Sequence, residues 1–187
     1  MLISSTTLNG AVGNDSNNNI TMSVGNTVIA NVNSTGMYFE AGKKAIYTGG
    51  ILQVVQSANS TTTTVSSASW VDTGYVGTIT PTSTSSKILV IVNTMPRHQS
   101  AGMNPNYRLS RGGAAFSGAV SDFYHPTGGG VSGCVTITWL DSPATTSPVT
   151  YGLQWMTAGA GGSVIFNADY NNNNYGVTYI TMMEIAG

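Results

Sequence analysis

The feature of this sequence that most restricts its fold is the length and spacing of its apolar runs. Short stretches rich in Val, Ile, Thr, Tyr and Trp alternate with polar residues between Gly, Asn and Pro, and no helical period lasts beyond about two turns. The strongest run, residues 88–92, is apolar on both faces, which is typical of the centre of a sandwich or of an oligomer interface. We therefore expect an all-β protein, an antiparallel β-sandwich or jelly roll of roughly eight to ten strands.

Turn residues and alternation place the elements along the chain. Gly25-Asn26 and Gly112-Gly113 stand between alternating runs and predict tight hairpin turns. Residues 57–69 are rich in Ser and Thr, and they could form a loop or a polar edge strand. The alternation predicts the main strands at residues 51–57, 75–80, 87–95, 107–111, 134–140, 150–156, 163–167 and 177–185.

The first 48 residues differ from the rest of the chain. Their strand candidates, residues 19–22, 27–32 and 37–40, are short and carry too few apolar residues to bury a face within one chain. We predict a strand-rich arm for anchoring and trimerisation at residues 1–48 and a β-sandwich domain at residues 49–187. Neighbouring copies would complete the core of the arm through Ile20, Met22, Val24, Val28, Ile29 and Val32.

The scarcity of charge excludes several partners. Charged residues make up 7% of the chain, against roughly 25% in an average soluble domain. Six Lys and Arg residues cannot form a basic patch that neutralises a run of phosphates, so we expect no nucleic-acid partner. No segment approaches the ~20 apolar residues that cross a bilayer as a helix, so we expect no membrane insertion.

The ionisable residues do not form a catalytic pattern. The seven acidic residues are widely spaced, and the two histidines lie in separate segments. The glycine-rich residues 128–130 and 159–162 lack the Lys-Ser/Thr pair of a phosphate-binding loop. The single cysteine, Cys134, is expected to be a buried thiol that packs as a small hydrophobe. We predict a protein that is not an enzyme and that has no catalytic residues, no metal site and no cofactor.

Two segments concentrate the unusual side chains. Aromatic residues and histidines on loops of a rigid β scaffold are suited to contact with a carbohydrate or a protein. They would serve equally to pack between subunits or to lie solvated at the surface. The predicted loops are residues 95–106 and 116–133, and the candidate receptor or neighbour contacts are Arg97, His98, Met103, Tyr107, Phe123, Tyr124 and His125.

Several strings together resemble a known family. They are GILQVVQ at residues 50–56, TITPTSTSSKILV at residues 78–90 and YITMMEI at residues 179–185, supported by residues 72–75 and 109–113. Over the second domain the chain is similar to the C-terminal β domain of phage tail-fibre and other virion surface proteins, of the marine and cyanobacterial phage type. The resemblance implies a trimeric β-sandwich or jelly roll without enzymatic activity, located on a virion that assembles in the host cytoplasm.

The short N-terminal region narrows this expectation. Tail fibres of that family carry long anchoring and shaft regions, whereas 48 residues precede the domain here. We therefore expect a short fibre or a trimeric head-decoration (cement) protein whose partners are its own copies and other capsid or tail proteins. The alternative is a receptor- or glycan-binding tail-fibre adhesin that holds a host surface glycan with loops 95–106 and 116–133.

Overall fold

The structure is a computed structural model, and its described residues form strands and turns with no helix. Among them, therefore, no helix is long and apolar enough to cross a membrane. The chain divides into two compact units, Met1–Tyr47 and Thr48–Gly187. The described residues are 12–14, 20–24, 27–33, 36–39, 49–100, 102, 104–121, 130–157, 162–169, 171 and 173–187.

The first unit contains one antiparallel sheet of four strands in sequence order. Val24 of β2 pairs with Thr27 of β3, and the Gly25-Asn26 turn predicted between them lies outside the described residues. Ala30 is buried, Val32 is half-buried and Phe39 is exposed. The strands are β1 (Val12–Asn14), β2 (Ile20–Val24), β3 (Thr27–Asn33) and β4 (Gly36–Phe39).

The prediction of interchain packing in this unit concerns side chains that are largely outside the described residues. The backbones of all six predicted residues lie in β2 and β3. The burial of one of them, Val32, is described, and its half-buried state does not distinguish packing within a chain from packing between chains. Interchain packing stays a prediction for Ile20, Met22, Val24, Val28, Ile29 and Val32.

The described residues of the second unit form thirteen strands in three sheets, more than predicted because several are only two or three residues long. Sheet I has the order β14-β8-β17-β5, sheet II has the order β11-β10-β15-β7 with β12 beside β10, and sheet III has the order β13-β9-β16-β6. The strands are β5 (Ile51–Asn59), β6 (Thr63–Val65), β7 (Val71–Ile79), β8 (Lys87–Thr94), β9 (Pro96–His98), β10 (Pro105–Arg111), β11 (Ala114–Ala115), β12 (Val120–Ser121), β13 (Val131–Ser132), β14 (Val135–Asp141), β15 (Val149–Thr157), β16 (Val164–Phe166) and β17 (Thr178–Ile185).

Sheets I and II pack face to face over one hydrophobic core, which confirms the antiparallel β-sandwich. Alternate residues of each strand point into the core, among them Val90 of sheet I and Trp155 of sheet II, both fully buried. A Cβ atom added to Gly77 would lie 2.7 Å from Cε of Met182, so β7 packs directly on β17. Burying each large apolar side chain contributes about 1.5–3 kcal/mol to the stability of this core.

A bulge interrupts β7 within the string at residues 72–75. Thr73, Gly74 and Tyr75 stand opposite Leu153 alone, because Asp72 pairs with Gln154 and the next pair joins Val76 to Gly152. Gly74 adopts a positive φ of 83°, and the Thr73 hydroxyl donates to the Leu153 carbonyl at 2.8 Å. Because two residues are inserted, the alternation of β7 keeps its phase across the bulge.

Glu184 joins three of the strings that carry the family resemblance. Its carboxylate is fully buried and accepts hydrogen bonds from Nε2 of Gln53 at 2.6 Å and from both N–H and Oγ1 of Thr82 at 2.7 Å. Burial alone would raise the pKa of the Glu184 carboxyl, but hydrogen bonds from Gln53, Ser86 and Thr82 outweigh it and lower the pKa. The turn between β7 and β8, which contains Thr82, is thereby linked to β5 and β17, the first and last strands of the second unit.

Asn167 ties sheet III to the sandwich. It is fully buried with a positive φ of 60°, a conformation that Asn tolerates better than most residues. Its Nδ2 donates to the Asn59 carbonyl at 2.8 Å and to the Tyr75 hydroxyl at 3.2 Å, and its Oδ1 accepts from Oγ1 of Thr178 at 2.8 Å. Both ends of this buried amide are satisfied, as a buried polar group requires.

The two ends of the second unit lie side by side. The amide of Gly49 donates to the carbonyl of Ala186 at 2.7 Å, and the amide of Ala186 donates to the carbonyl of Gly50 at 2.8 Å. The first and last residues of the sandwich are thus joined by a reciprocal pair of backbone hydrogen bonds.

The expectation of a buried thiol is wrong. Cys134 is exposed, because it lies in the short connection between β13 and β14 and the alternation into the core starts one residue later, at Val135. For residues 57–69 the prediction left open a loop or a polar edge strand, and the structure has the short strand β6 there, at the edge of sheet III.

Candidate interaction surfaces

The predicted loop at residues 95–106 is partly a strand within a sheet. Arg97 and His98 lie in β9, between β13 and β16, and are only 9% and 2% exposed. Tyr107 lies in β10 with its ring fully buried, edge-on to Phe166 at 6.1 Å between centroids. The interpretation of Arg97 and His98 as loop residues is wrong, because non-local strand pairing places them inside the domain. Tyr107 lies in a strand as predicted, and its side chain is buried within the single chain.

The other predicted contacts fall elsewhere. Four of the candidates lie outside the described residues, so their contact with a receptor or neighbour stays a prediction. They are Met103, Phe123, Tyr124 and His125.

Two of the ionisable groups that the structure describes, Arg111 and Asp141, form an ion pair that serves the fold. Nη1 of Arg111 bridges both carboxylate oxygens of Asp141 at 3.0 and 2.9 Å, and the Tyr151 hydroxyl donates to the same carboxylate at 2.7 Å. Burial raises the pKa of the Tyr151 hydroxyl, and the hydrogen bond and charge of Asp141 raise it further. The ring of Phe116 lies beside both partners of this carboxylate, Arg111 and Tyr151.

The Asn-rich turn after β16 is stabilised by the carboxylate of Asp169, which lies within the turn. Oδ1 of Asp169 accepts the amide of Asn171 at 2.9 Å and that of Asn173 at 2.7 Å, and Oδ2 accepts Nδ2 of Asn173 at 3.1 Å. These bonds occupy both oxygens, as in a side-chain-capped turn. Within the described part of the chain, no three His, Cys, Asp or Glu residues group as ligands for a metal.

The outer face of sheet I carries an exposed apolar row that crosses all four strands. Leu140, Leu89, Met183 and Val54 are paired in register from β14 through β8 and β17 to β5. Val54 is 55% exposed and Leu140 is 47% exposed at the two edges, whereas Leu89 and Met183 between them are half-buried. Their inward neighbours belong to the core, so the alternation leaves this row facing out of the sandwich.

A second apolar pair extends the row towards one end of the sheet. Ile185 pairs with Ile51, which is 62% exposed, and Ile91 lies on the other side of the row. We call the outward side chains of Leu140, Leu89, Met183, Val54, Ile91, Ile185 and Ile51 the apolar face. Contiguous exposed apolar patches of this kind are rare on monomeric proteins and mark interaction sites.

The opposite end of the same sheet surface is polar. There Thr136, Asn93, Tyr179 and Ala58 form the outward row, and the Thr136 hydroxyl donates to Oδ1 of Asn93 at 2.7 Å. Lys87 is the one charged side chain that points outward from these four strands, all of which the structure describes, and it lies at the apolar end, paired with Ile185. The surface of sheet I therefore changes from apolar to polar along the strands while staying almost uncharged.

The outer face of sheet II differs in chemistry. Arg108, Gln154 and Asp72 form a polar row across β10, β15 and β7. Nε of Arg108 donates to Oε1 of Gln154 at 2.8 Å, and the guanidinium carbon lies 4.2 Å from the centre of the Trp70 ring. One side of the sandwich thus presents apolar side chains and the other presents an ordered cation beside an aromatic ring. We call Arg108, Trp70, Gln154 and Asp72 the arginine site.

The two surfaces were only partly foreseeable. The two-sided apolar run at residues 88–92 is typical of the centre of a sandwich or of an oligomer interface; Ile88, Val90 and Val92 lie in the core, and Leu89 and Ile91 lie on the apolar face. The alternation of residues 107–111 separated Arg108 from the buried Tyr107. Nothing local in the sequence joined either position to its partners on other strands.

No protein-family model matches this chain, and no curated protein matches it. Among solved structures, it is similar to the VP2 subviral particle of infectious bursal disease virus, with 11% identity and a TM-score of 0.41 over 72% of this chain and 37% of that chain. It is also similar to the Gt strain of that virus, with 12% identity and a TM-score of 0.39 over 94% of this chain and 47% of that chain. The chain spans less than half the length of each. Its own sheets define it as an all-β sandwich protein.

Proposed function

We propose that this chain is a non-enzymatic structural component of a virion surface, a homotrimeric decoration or short-fibre protein. The observation that carries the proposal is the apolar face, because its side chains are removed from water only when another protein covers them. The family resemblance of residues 49–187 supports the virion location. The buried and saturated carboxylates of Glu184 and Asp141 support a structural role over a catalytic one.

A second copy of the chain is the partner that best fits the apolar face. Because this surface carries almost no charge, it offers nothing to select a charged partner. Three half-exposed side chains, Ile51, Val54 and Leu140, would contribute on the order of 3 kcal/mol per chain if buried completely. The remaining four residues of the face add to this value, so association of copies gains free energy without any new salt bridge.

A threefold arrangement suits the dimensions of the face. Four strands at a spacing of about 4.8 Å place Leu140 and Val54 roughly 14 Å apart. Around a threefold axis the β14 side of the face would contact one neighbour and the β5 side would contact the other, so that each interface joins two different halves.

Light scattering on the purified protein tests the trimer, with an expected mass near three times the 19.4 kDa of the chain. The double substitution Val54→Lys and Leu140→Lys places charges at both sides of the apolar face and is expected to give monomers with unchanged far-UV circular dichroism. The matched control, Thr136→Lys and Ala58→Lys, adds the same charges to the same two strands at the polar end and should leave the trimer intact.

Two results would contradict this assignment. A monodisperse wild-type monomer would rule out the trimer, and a trimer that survives the Val54→Lys and Leu140→Lys pair would place the interface elsewhere. The virion role is tested separately by imaging a labelled copy of the protein on purified particles. Label that never sediments with particles would contradict it.

The structure removes part of the support that the sequence offered for the alternative of a glycan-binding adhesin. Three of its seven candidate contacts, Arg97, His98 and Tyr107, are buried in the single chain. A glycan contact through loops 95–106 and 116–133 would have to rest on the other four.

A further inference from the structure

The arginine site has the construction of a ligand-binding position. We propose that it binds the carboxylate of an acidic saccharide, with Arg108 as the group that recognises the charge. It lies on the face of the sandwich opposite to the apolar face, so it is independent of the proposed self-association.

Arg108 is held in one orientation before any ligand arrives. Its Nε donates to Oε1 of Gln154 at 2.8 Å, and Nε2 of Gln154 donates in turn to the Gly113 carbonyl at 2.9 Å. Gln154 is only 6% exposed, so the amide that holds the guanidinium is itself buried and hydrogen-bonded. The Trp70 ring supports the guanidinium plane at 4.2 Å. An arginine fixed by two contacts loses little further conformational entropy when it binds an anion.

The binding end of this guanidinium is open. Among the described residues no hydrogen bond or ion pair engages Nη1 or Nη2 of Arg108. With Nε occupied by Gln154, these two nitrogens present their N–H groups as the end-on fork that matches the two oxygens of a carboxylate. By contrast, Nη1 of Arg111 already donates hydrogen bonds to the carboxylate of Asp141.

The neighbours of Arg108 favour a saccharide over an acidic peptide. Asp72 pairs with Gln154 on the side opposite to Arg108, so the three residues form one row across the sheet. Asp72 is exposed, and its carboxylate has no partner among the described residues. A carboxylate there accepts hydrogen bonds from hydroxyl groups and repels a second anionic group. A sugar acid carries one carboxylate among several hydroxyls, whereas an acidic peptide brings several negative charges to the same place.

Further along the same outer face lie two more hydroxyl groups. Oγ1 of Thr78 and Oγ1 of Thr150 are hydrogen-bonded to each other at 2.9 Å, one in β7 and the other in β15. The side chain of Val76, 51% exposed, lies between these hydroxyls and Asp72 on the outward face of β7. A saccharide longer than one residue would therefore cross one apolar side chain before it reached Thr78 and Thr150.

Calorimetric titration of the intact protein with single sugars tests the proposal. The acidic probes are glucuronic, galacturonic and N-acetylneuraminic acid, and the neutral match is glucose. We expect at least one acidic probe to bind at least tenfold more tightly than glucose. Arg108→Lys keeps the charge but loses the fork and the Gln154 bond, and should weaken that binding at least tenfold. Lys87→Gln removes a charge from the opposite face and should change nothing.

Trp70→Phe provides a second variant in case Arg108→Lys fails to fold, and it should weaken the same binding by roughly threefold through poorer support of the guanidinium. Three outcomes would overturn the proposal. They are no binding of any acidic probe, equal binding by the wild type and the folded Arg108 or Trp70 variant, and tighter binding of tri-glutamate than of the sugar acids.

Discussion

At the scale of single residues, the buried carboxylate of Glu184 explains why distant strings of this sequence occur together. Gln53 and Thr82 lie 131 and 102 residues before it, yet both donate to its oxygens. A charge buried this completely is stable only when its hydrogen bonds are satisfied. The sequence showed the strings but not their meeting point, because a glutamate in an alternating strand has the same local pattern whether it is buried or solvated.

Glu184→Gln should lower the free energy of unfolding at pH 7 by about 1–3 kcal/mol, the range for hydrogen bonds to a charged group. The new amide would place an NH₂ group against Nε2 of Gln53, and one of the two would have to rotate and lose a bond. Urea denaturation of both proteins measures the difference.

The same substitution should also change the acid sensitivity. Because the pKa of Glu184 is lowered in the folded protein, its contribution is complete above its usual value of 4.5 and is lost as the pH falls through the folded pKa. The variant should therefore lose less stability than the wild type between about pH 5 and pH 3. Asp72→Asn, which alters an exposed carboxylate, is the control. Parallel pH profiles for wild type and Glu184→Gln would contradict the assignment.

At the scale of elements, the bulge in β7 depends on the backbone of Gly74. A Cβ at this position would meet no atom within 4 Å, so a substitution is penalised by its φ of 83° and not by crowding. Gly74→Ala should lower the free energy of unfolding by about 1–2 kcal/mol, because a residue with a Cβ is strained by that amount in a left-handed conformation.

Gly118→Ala is the matched control for the bulge. Gly118 has no positive φ, and its added Cβ would lie 3.9 Å from the Trp139 ring, an ordinary contact. Chemical denaturation should show a loss for Gly74→Ala and almost none for Gly118→Ala. Equal stabilities of the two variants would show that residue 74 does not adopt this conformation.

The long strands could be predicted from the sequence and the short ones could not. The two-sided apolar run identified β8, and alternation at residues 107–111 and 150–156 identified β10 and β15, because burying the apolar side chains of such strands outweighs local preferences. The three-residue strand β9 was taken for a loop, since it begins with Pro96 and contains Arg97 and His98. Its partners β13 and β16 lie far along the chain, and pairing of that kind leaves no local signal.

At the scale of the whole second unit, the two outer faces of the sandwich differ in chemistry. In our proposals the apolar face contacts other copies of the chain, and the arginine site binds a small charged ligand. The chemistry of each face comes from residues that pair across strands, and so neither face was visible as a motif in the sequence.

Removal of residues 1–48 should leave the second unit folded, because its core and its joined ends are internal to residues 49–187. Thermal unfolding followed by circular dichroism should give a midpoint within a few degrees of the full chain. If the first unit anchors the protein, the shortened chain should no longer sediment with particles. A shortened chain that still decorates particles would contradict the anchoring role.

The reciprocal hydrogen bonds between Gly49, Gly50 and Ala186 have a consequence for how this sandwich can be reused. A domain whose entry and exit are neighbours behaves as a cassette, since it can be spliced into a surface loop of another protein while parting the host backbone by only a few ångströms. The same closeness allows the old ends to be linked and new ones opened at an exposed hairpin such as Gly112-Gly113. Such a cassette can pass between unrelated host proteins with its two faces intact.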